Sequence, residues 1–273
     1  MTAVPSPQAV TGVERIAEAF ASAHASGRRA ALMPYLMGGY PDLETSRRIG
    51  VAYAESGADL VELGVPFSDP LADGPVIHAA GTEALRAGAT LPDVLSVGSR
   101  IAELVPVIVM CYSNVILARG LERFADALVG SAISGLIVPD LPLEEAADTL
   151  AACDARGIAL VPLVAPTTPE PRLAQIGSRA RGFVYAVSVT GTTGERAALD
   201  GALEAIVARA RAHTDVPVAV GFGIGTPEQA AAAAAAGAEG VIVGTRLVRA
   251  AGERPDPVAG VAELVAQFAA ALR

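Results

Sequence analysis

The sequence predicts an α/β chain folded as one (β/α)8 barrel, the TIM-barrel architecture, with an extra helix on its N-terminal side. Three observations carry this. Eight short β-branched runs alternate with alanine-rich helical segments along the chain. The runs are continuously apolar rather than alternating, as in parallel strands covered on both faces. The 273 residues contain no linker and no break in composition, and one such barrel takes about 250 residues. A doubly wound open sheet is the competing arrangement, but no Gly-x-Gly-x-x-Gly turn follows the first strand.

Residues 1–10 (MTAVPSPQAV) read as a flexible tail, and 11–273 as the single domain. A helix then sets Ile16, Ala19, Phe20 and Ala23 on one face. The strand candidates are 31–37, 58–65, 106–112, 135–140, 158–165, 181–188, 216–222 and 240–245. Helical candidates cover 43–56, 77–87, 91–103, 121–130, 143–156, 169–178, 200–213, 226–236 and 257–272. Several units read helix, glycine, strand (SGADLVEL, ISGLIV, ARGIALV, AGAEGVIV), which fits a left-handed cap before each strand. The stretch between the second and third strands is the longest, so an extra loop or helix belongs there.

Composition narrows the chemistry. Hydrophobic residues make up 52% and charged residues 18%, with mean hydropathy +0.46; this is a chain with a large core, far from a disordered one. A net charge of −9 argues against a nucleic-acid binder. All basic residues are arginine, and the absence of lysine excludes a Schiff-base aldolase, an enzyme with its own PLP aldimine, and a Walker loop. Three scattered histidines (His24, His78, His213) and two separated cysteines (Cys111, Cys153) make a poor zinc set and suit a reducing cytoplasm. No signal or spanning segment is visible.

In a barrel the active site forms where the strands end and the loops begin. The second strand offers Glu62 in LVELGVP, a carboxylate in an apolar run, where it is costly unless paired or used. Its loop, PFSDPLADGP, adds Asp69 and Asp73; loop aspartates mostly make local turns, but Glu62 with Asp73 is equipment for acid–base chemistry. After the seventh and eighth strands come GFGIGTPEQ and VGTR, glycine-rich backbone leading into helices, a mode for phosphate that needs no lysine. Thr226 with Gln229 also reads simply as a capping box. The segment SVTGTTGER (188–196) reads as a lid or a plain loop. Tyr112 and Tyr185 stand near strand ends, where a phenol either binds ligand or is merely buried. His78 starts a helix and reads as structural; His24 and His213 read as surface helix positions.

The segment LVELGVPFSDPLADGPVI (60–77) resembles the signature of the tryptophan synthase alpha chain family, as do PYLMGGYPD, VMCYSN, VPDLPLEE, VAPTTP, RGFVYAVS, GFGIGTPEQ and IVGTRLV. The likeness spans nearly the whole chain after the tail. It implies retro-aldol cleavage of indole-3-glycerol phosphate to indole and glyceraldehyde 3-phosphate, with Glu62 and Asp73 as the catalytic carboxylates and Tyr185 as the tyrosine near Glu62. It further implies phosphate binding at Gly194, Gly223, Gly244 and Thr245, a lid threonine at Thr193, and an indole pocket walled by Tyr112 and Phe222. Asp69 and Pro142 would touch a partner, a PLP-bearing beta chain in an α2β2 heterotetramer; this chain itself would hold no cofactor or metal. Leu32, Met110, Thr192 and Thr245 depart from commoner residues of the family, which bears on affinity rather than reaction class. A stand-alone lyase, another phosphate-binding barrel enzyme of aromatic amino-acid biosynthesis, or a subunit that has lost its own catalysis are the competing readings. The lack of lysine argues against the related cyclase, and the intact carboxylates and glycines against decay.

Overall fold

The computed structural model describes residues 10–187, 196–221, 223–253 and 255–273. Before the first strand comes α1 (Gly12–Ala25), opened by a capping box between Thr11 and Glu14. Then follow β1 (Ala31–Met37), α2 (Leu43–Glu55), β2 (Val61–Gly64), α3 (Pro75–Arg86), α4 (Leu91–Ala102) and β3 (Val107–Met110). Next are α5 (Ser113–Arg119), α6 (Leu121–Gly130), β4 (Gly135–Ile137), a 3-10 turn (Leu143–Glu145) and α7 (Ala147–Asp154). The fifth strand is interrupted, as β5 (Ala159–Leu160) and β6 (Leu163–Val164). The chain continues through α8 (Glu170–Gly177), β7 (Val184–Val187), α9 (Arg196–Arg211), β8 (Val218–Gly221), α10 (Pro227–Ala235), β9 (Gly240–Val243), α11 (Thr245–Glu253) and α12 (Pro257–Ala271).

All pairings are parallel, in the order β5-β4-β3-β2-β1-β9-β8-β7-β6. The two ends of that order are the two halves of the fifth strand, so the sheet closes on itself as the (β/α)8 barrel the sequence predicts. Pro162 has no N–H to give a ladder, which breaks the strand into two. Val161 N–H still reaches Leu136 O at 2.9 Å, and Tyr185 N–H reaches Pro162 O at 2.9 Å.

Strand alternation sorts side chains in and out. Outward residues such as Leu32, Leu36, Val61, Leu63, Val107, Val109, Val241 and Val243 join Ile49, Tyr53, Ile101 and Phe268 of the helices in one core. Inward residues Met33, Leu60, Ile108, Ile137, Phe183 and Ile242 form a second core, into which α1 inserts Ile16 and Phe20 from below. Phe20 meets Phe183 at 5.9 Å between ring centroids.

Several details differ from the sequence reading. Helices α5 and α11 are ones the apolar pattern left out, whereas α3 and α4, in the long stretch between the second and third strands, match the expected 77–87 and 91–103. The expected helix 143–156 is a 3-10 turn followed by α7. Left-handed caps occur at Gly57, Gly157 and Gly237, but after α6 the left-handed residue is Ala132 (φ 55°), not a glycine. Gly135 instead lies in β4, where a Cβ would stand 3.2 Å from Ile16 Cδ1. His213 lies just past α9, partly buried, with Nε2 2.7 Å from Glu170 Oε2, rather than on an open helix face.

Candidate active site

The inward stripe of β2 is Leu60, Glu62 and Gly64, which puts Glu62 inside the barrel, level with Tyr35 of β1 and Ile108 of β3. Glu62 is 1% exposed, and its Oε2 has no hydrogen-bond partner among the described residues. An unpaired carboxylate in such a place responds by keeping its proton. Burial, and then the nearby charge of Asp73, push Glu62 up to about 8. Near neutral pH it is therefore an acid, poised close to the point of giving its proton up.

Asp73 closes the loop after β2, next to Gly74 and the first helical residue Pro75 of α3. Burial raises its pKa as well, opposed by the Tyr112 hydrogen bond and by His78. Tyr112 O–H donates to Asp73 Oδ1 at 3.2 Å, while Ala72 N–H donates to the same phenol oxygen at 3.0 Å. Phe67 stacks on the Tyr112 ring at 5.2 Å, with 27° between planes. The next residue, Ser113, donates from N–H and Oγ to the carboxylate of Asp140, at 2.9 and 2.6 Å. The ends of the second, third and fourth strands are thereby tied together through Asp73, Tyr112, Ser113 and Asp140.

Two phenols line the interior beside Glu62. Tyr185 of β7 is 5% exposed and Tyr35 of β1 is 4% exposed. Each hydroxyl covers a glycine on a neighbouring strand: a Cβ on Gly221 would lie 2.2 Å from the Tyr185 oxygen, and one on Gly64 2.0 Å from the Tyr35 oxygen. The glycines are there because the phenols need the space.

On the far side of the mouth, Gly223 takes φ +78°, and Gly244 with Thr245 opens α11. The amides at the start of α10 are less available. Gln229 Oε1 accepts from Gly225 N–H at 2.7 Å and Thr226 N–H at 3.1 Å, so this end is self-capped. Thr192, Thr193, Gly194 and Phe222 lie outside the described residues.

Among the remaining expectations, Asp69 is exposed, its carboxylate accepting from Ser68 Oγ at 2.5 Å. Leu71, two residues on, is 86% exposed. Pro142 lines a cavity of about 210 Å³ formed by the segment after β4, the interrupted fifth strand, α7 and α8. Met110 points inward between the two interior clusters. Leu32 is a correction: it faces outward among Ile49 and Tyr53 and cannot touch a ligand in the mouth. His78 needs refining too, since from the first turn of α3 its charge acts on Asp73. Tyr35, Phe67, Ser113 and Asp140 were missed. For Phe67 and Asp140, membership in PFSDP and VPDLP was the available signal; for Tyr35, it was the register with Glu62.

A model of the family described as "Tryptophan synthase alpha chain" matches residues 20–272. The tryptophan synthase alpha chain of Prochlorococcus marinus (strain MIT 9313) is 48% identical over 236 residues, 86% of each chain. That of Synechococcus elongatus is 46% identical over 259 residues, 94% of this chain and 96% of its own. Among solved structures, one of Mycobacterium tuberculosis tryptophan synthase superposes with TM-score 0.87 at 40% identity, covering 95% of this chain and 98% of that one. A chain of the Pyrococcus furiosus complex superposes with TM-score 0.82 at 33% identity, over 88% and 98%. A barrel of this topology, carrying a buried acid on its second strand and a second carboxyl on the loop that follows, is thus matched along nearly its whole length by one family, and the chain belongs to the tryptophan synthase alpha chain family.

Proposed function

We propose that Glu62 and Asp73 carry out the family's carbon–carbon lyase reaction, the retro-aldol cleavage of indole-3-glycerol phosphate to indole and glyceraldehyde 3-phosphate. The observation that carries this is the buried Glu62 carboxyl facing the interior near Asp73, its Oε2 without a partner among the described residues. Glu62 gives its proton to C3 of the indole ring. Asp73 accepts the ring N–H and stabilises the positive charge that then develops. The bond from C3 to the glycerol chain breaks, its electron pair returns to the ring, and the carboxylate left at Glu62 takes the proton of the side-chain hydroxyl as the aldehyde forms. No net proton is consumed, so one carboxyl suffices as acid and base.

In this reading Tyr185 borders the Glu62 carboxyl, and Tyr112 with Phe222 walls the ring. Backbone amides at Gly194, Gly223, Gly244 and Thr245 take the phosphate, with Thr193 in the lid. Residues 11–273 act as one domain, in the cytoplasm. The partner is a PLP-bearing beta chain in an α2β2 assembly; the Pyrococcus furiosus relative belongs to an a2b2 complex with mutual activation. Asp69 and Pro142 meet that partner, and the exposed Leu71 on the same loop as Asp69 supports a docking role for that loop. The test is incubation with indole-3-glycerol phosphate while free indole is measured, with and without the beta chain. Indole release that rises with added beta chain is expected; no indole in either arm refutes the reading.

A further inference from the structure

Glu62 is flanked by two phenols, and the family resemblance accounts for only one of them, Tyr185. We propose that Tyr35 is a positioning residue for the acid–base pair: its hydroxyl, lodged over Gly64 on the strand that carries Glu62, donates a hydrogen bond to the Glu62 carboxylate when that group is ionised during the reaction. The inference rests on the lyase reading above.

Geometry carries it. Tyr35 and Glu62 are register partners in the parallel β1–β2 pair, and alternation turns both side chains inward. Both are almost wholly buried. A Cβ at position 64 would lie 2.0 Å from the Tyr35 oxygen, so only glycine admits the phenol there. Among the described residues the hydroxyl's one partner is Met37 Sδ at 4.0 Å, a weak acceptor. Buried phenols ordinarily find a better one. Glu62 Oε2 meanwhile is a buried acceptor with no donor among the described residues. A donor short of an acceptor and an acceptor short of a donor thus stand at paired positions of adjacent strands.

The chemistry gives the pairing a use. Once Glu62 has passed its proton to the ring, an anion stands in an apolar interior and needs a donor. The groups that act on Tyr35 are, strongest first, Asp73 on the loop after β2, Glu62 on β2, Tyr112 after β3 and Tyr185 on β7, with His78 of α3 acting on Asp73. Burial and those groups hold the Tyr35 phenol well above its usual range. It therefore donates a hydrogen bond without surrendering its proton.

The experiment is the pH dependence of kcat for wild type, Tyr35→Phe, and protein with 3-fluorotyrosine at position 35. Beside it runs a carbon-13 titration of the Glu62 carboxyl, assigned by its loss in Glu62→Gln. Removing a donor to an ionised carboxylate should raise the Glu62 titration by about one pH unit. The kcat limb that Glu62 sets should move by the same amount, with KM little changed. The fluorinated phenol, a stronger donor of the same shape, should move both downward, and it keeps the test open if Tyr35→Phe folds poorly. Superimposable titrations, or a downward shift in Tyr35→Phe, overturn the proposal. The carbon-13 arm needs no turnover, so a chain that releases no indole refutes the lyase reading while the Tyr35–Glu62 link is still decided.

Discussion

The barrel's two ends are built from the same inward-facing alternation and put to opposite uses. Below, α1 presses Ile16 and Phe20 into the interior, and Phe183 and Ile242 close around them. Above, Gly64 and Gly221 make room for the phenols of Tyr35 and Tyr185, which reach in beside the Glu62 carboxyl. Among the described residues each end has one buried side-chain oxygen without a partner, Ser134 Oγ near the start of β4 and Glu62 Oε2 above it. A neutral hydroxyl so placed costs about 1–3 kcal/mol and stays what it is. A carboxyl changes its protonation state, and that makes it chemistry rather than a defect. Stability is concentrated at the lower end and reactivity at the upper.

That division can be broken by substitution. Glu62→Gln should cut kcat by about 10²–10⁴-fold with the native circular dichroism spectrum kept; more than a tenth of wild-type turnover removes Glu62 from its role. Asp73→Asn should lower kcat by about 10²–10³-fold while glycerol phosphate still binds in calorimetry. Loss of that binding makes the loop a scaffold instead. The counterpart below is Phe20→Ala, expected to cost about 3–5 kcal/mol of stability in denaturant unfolding, with kcat and KM of the folded enzyme unchanged. A tenfold loss of kcat without destabilisation would collapse the distinction between the ends.

A subtler test uses pH. Burial and Asp73 raise the Glu62 pKa from 4.5 to about 8. Between those values the folded state holds a proton that the unfolded state releases, so wild-type stability falls as pH rises, and the loss is complete above about 8. One group gives a slope of at most about 1.4 kcal/mol per pH unit. Glu62→Gln removes that slope, so its melting advantage over wild type should grow from about pH 5 to about pH 8. A constant difference across that range would mean the carboxyl titrates normally.

The strands were legible because each is a compact apolar run, and Glu62 because a carboxylate interrupts one of them. Helices α5 and α11 escaped because they are short and their apolar residues merge with the preceding strands. Strand register, which no local pattern encodes, is what pairs Tyr35 with Glu62. The contact of Asp140 with Ser113 spans 27 residues and depends on the pairing of β3 with β4, which sets the segments after them side by side. Leu32 was misread for the complementary reason: as a departure from a commoner family residue it was expected to bear on affinity, whereas alternation along β1 turns it outward.

The interrupted fifth strand makes the barrel a hoop with a clasp. Everywhere else the circumference is a run of parallel ladders; at Val161–Pro162 it depends on two-residue segments on either side. Cooperative local opening starts where few backbone bonds must break together. Native-state hydrogen exchange should therefore find the Val161 and Tyr185 amides opening before those of β1, β2 and β9. Because Tyr185 N–H is itself one of the clasp bonds, each such opening unseats a wall of the Glu62 chamber, so the barrel's weakest seam sets how long the chamber keeps its shape.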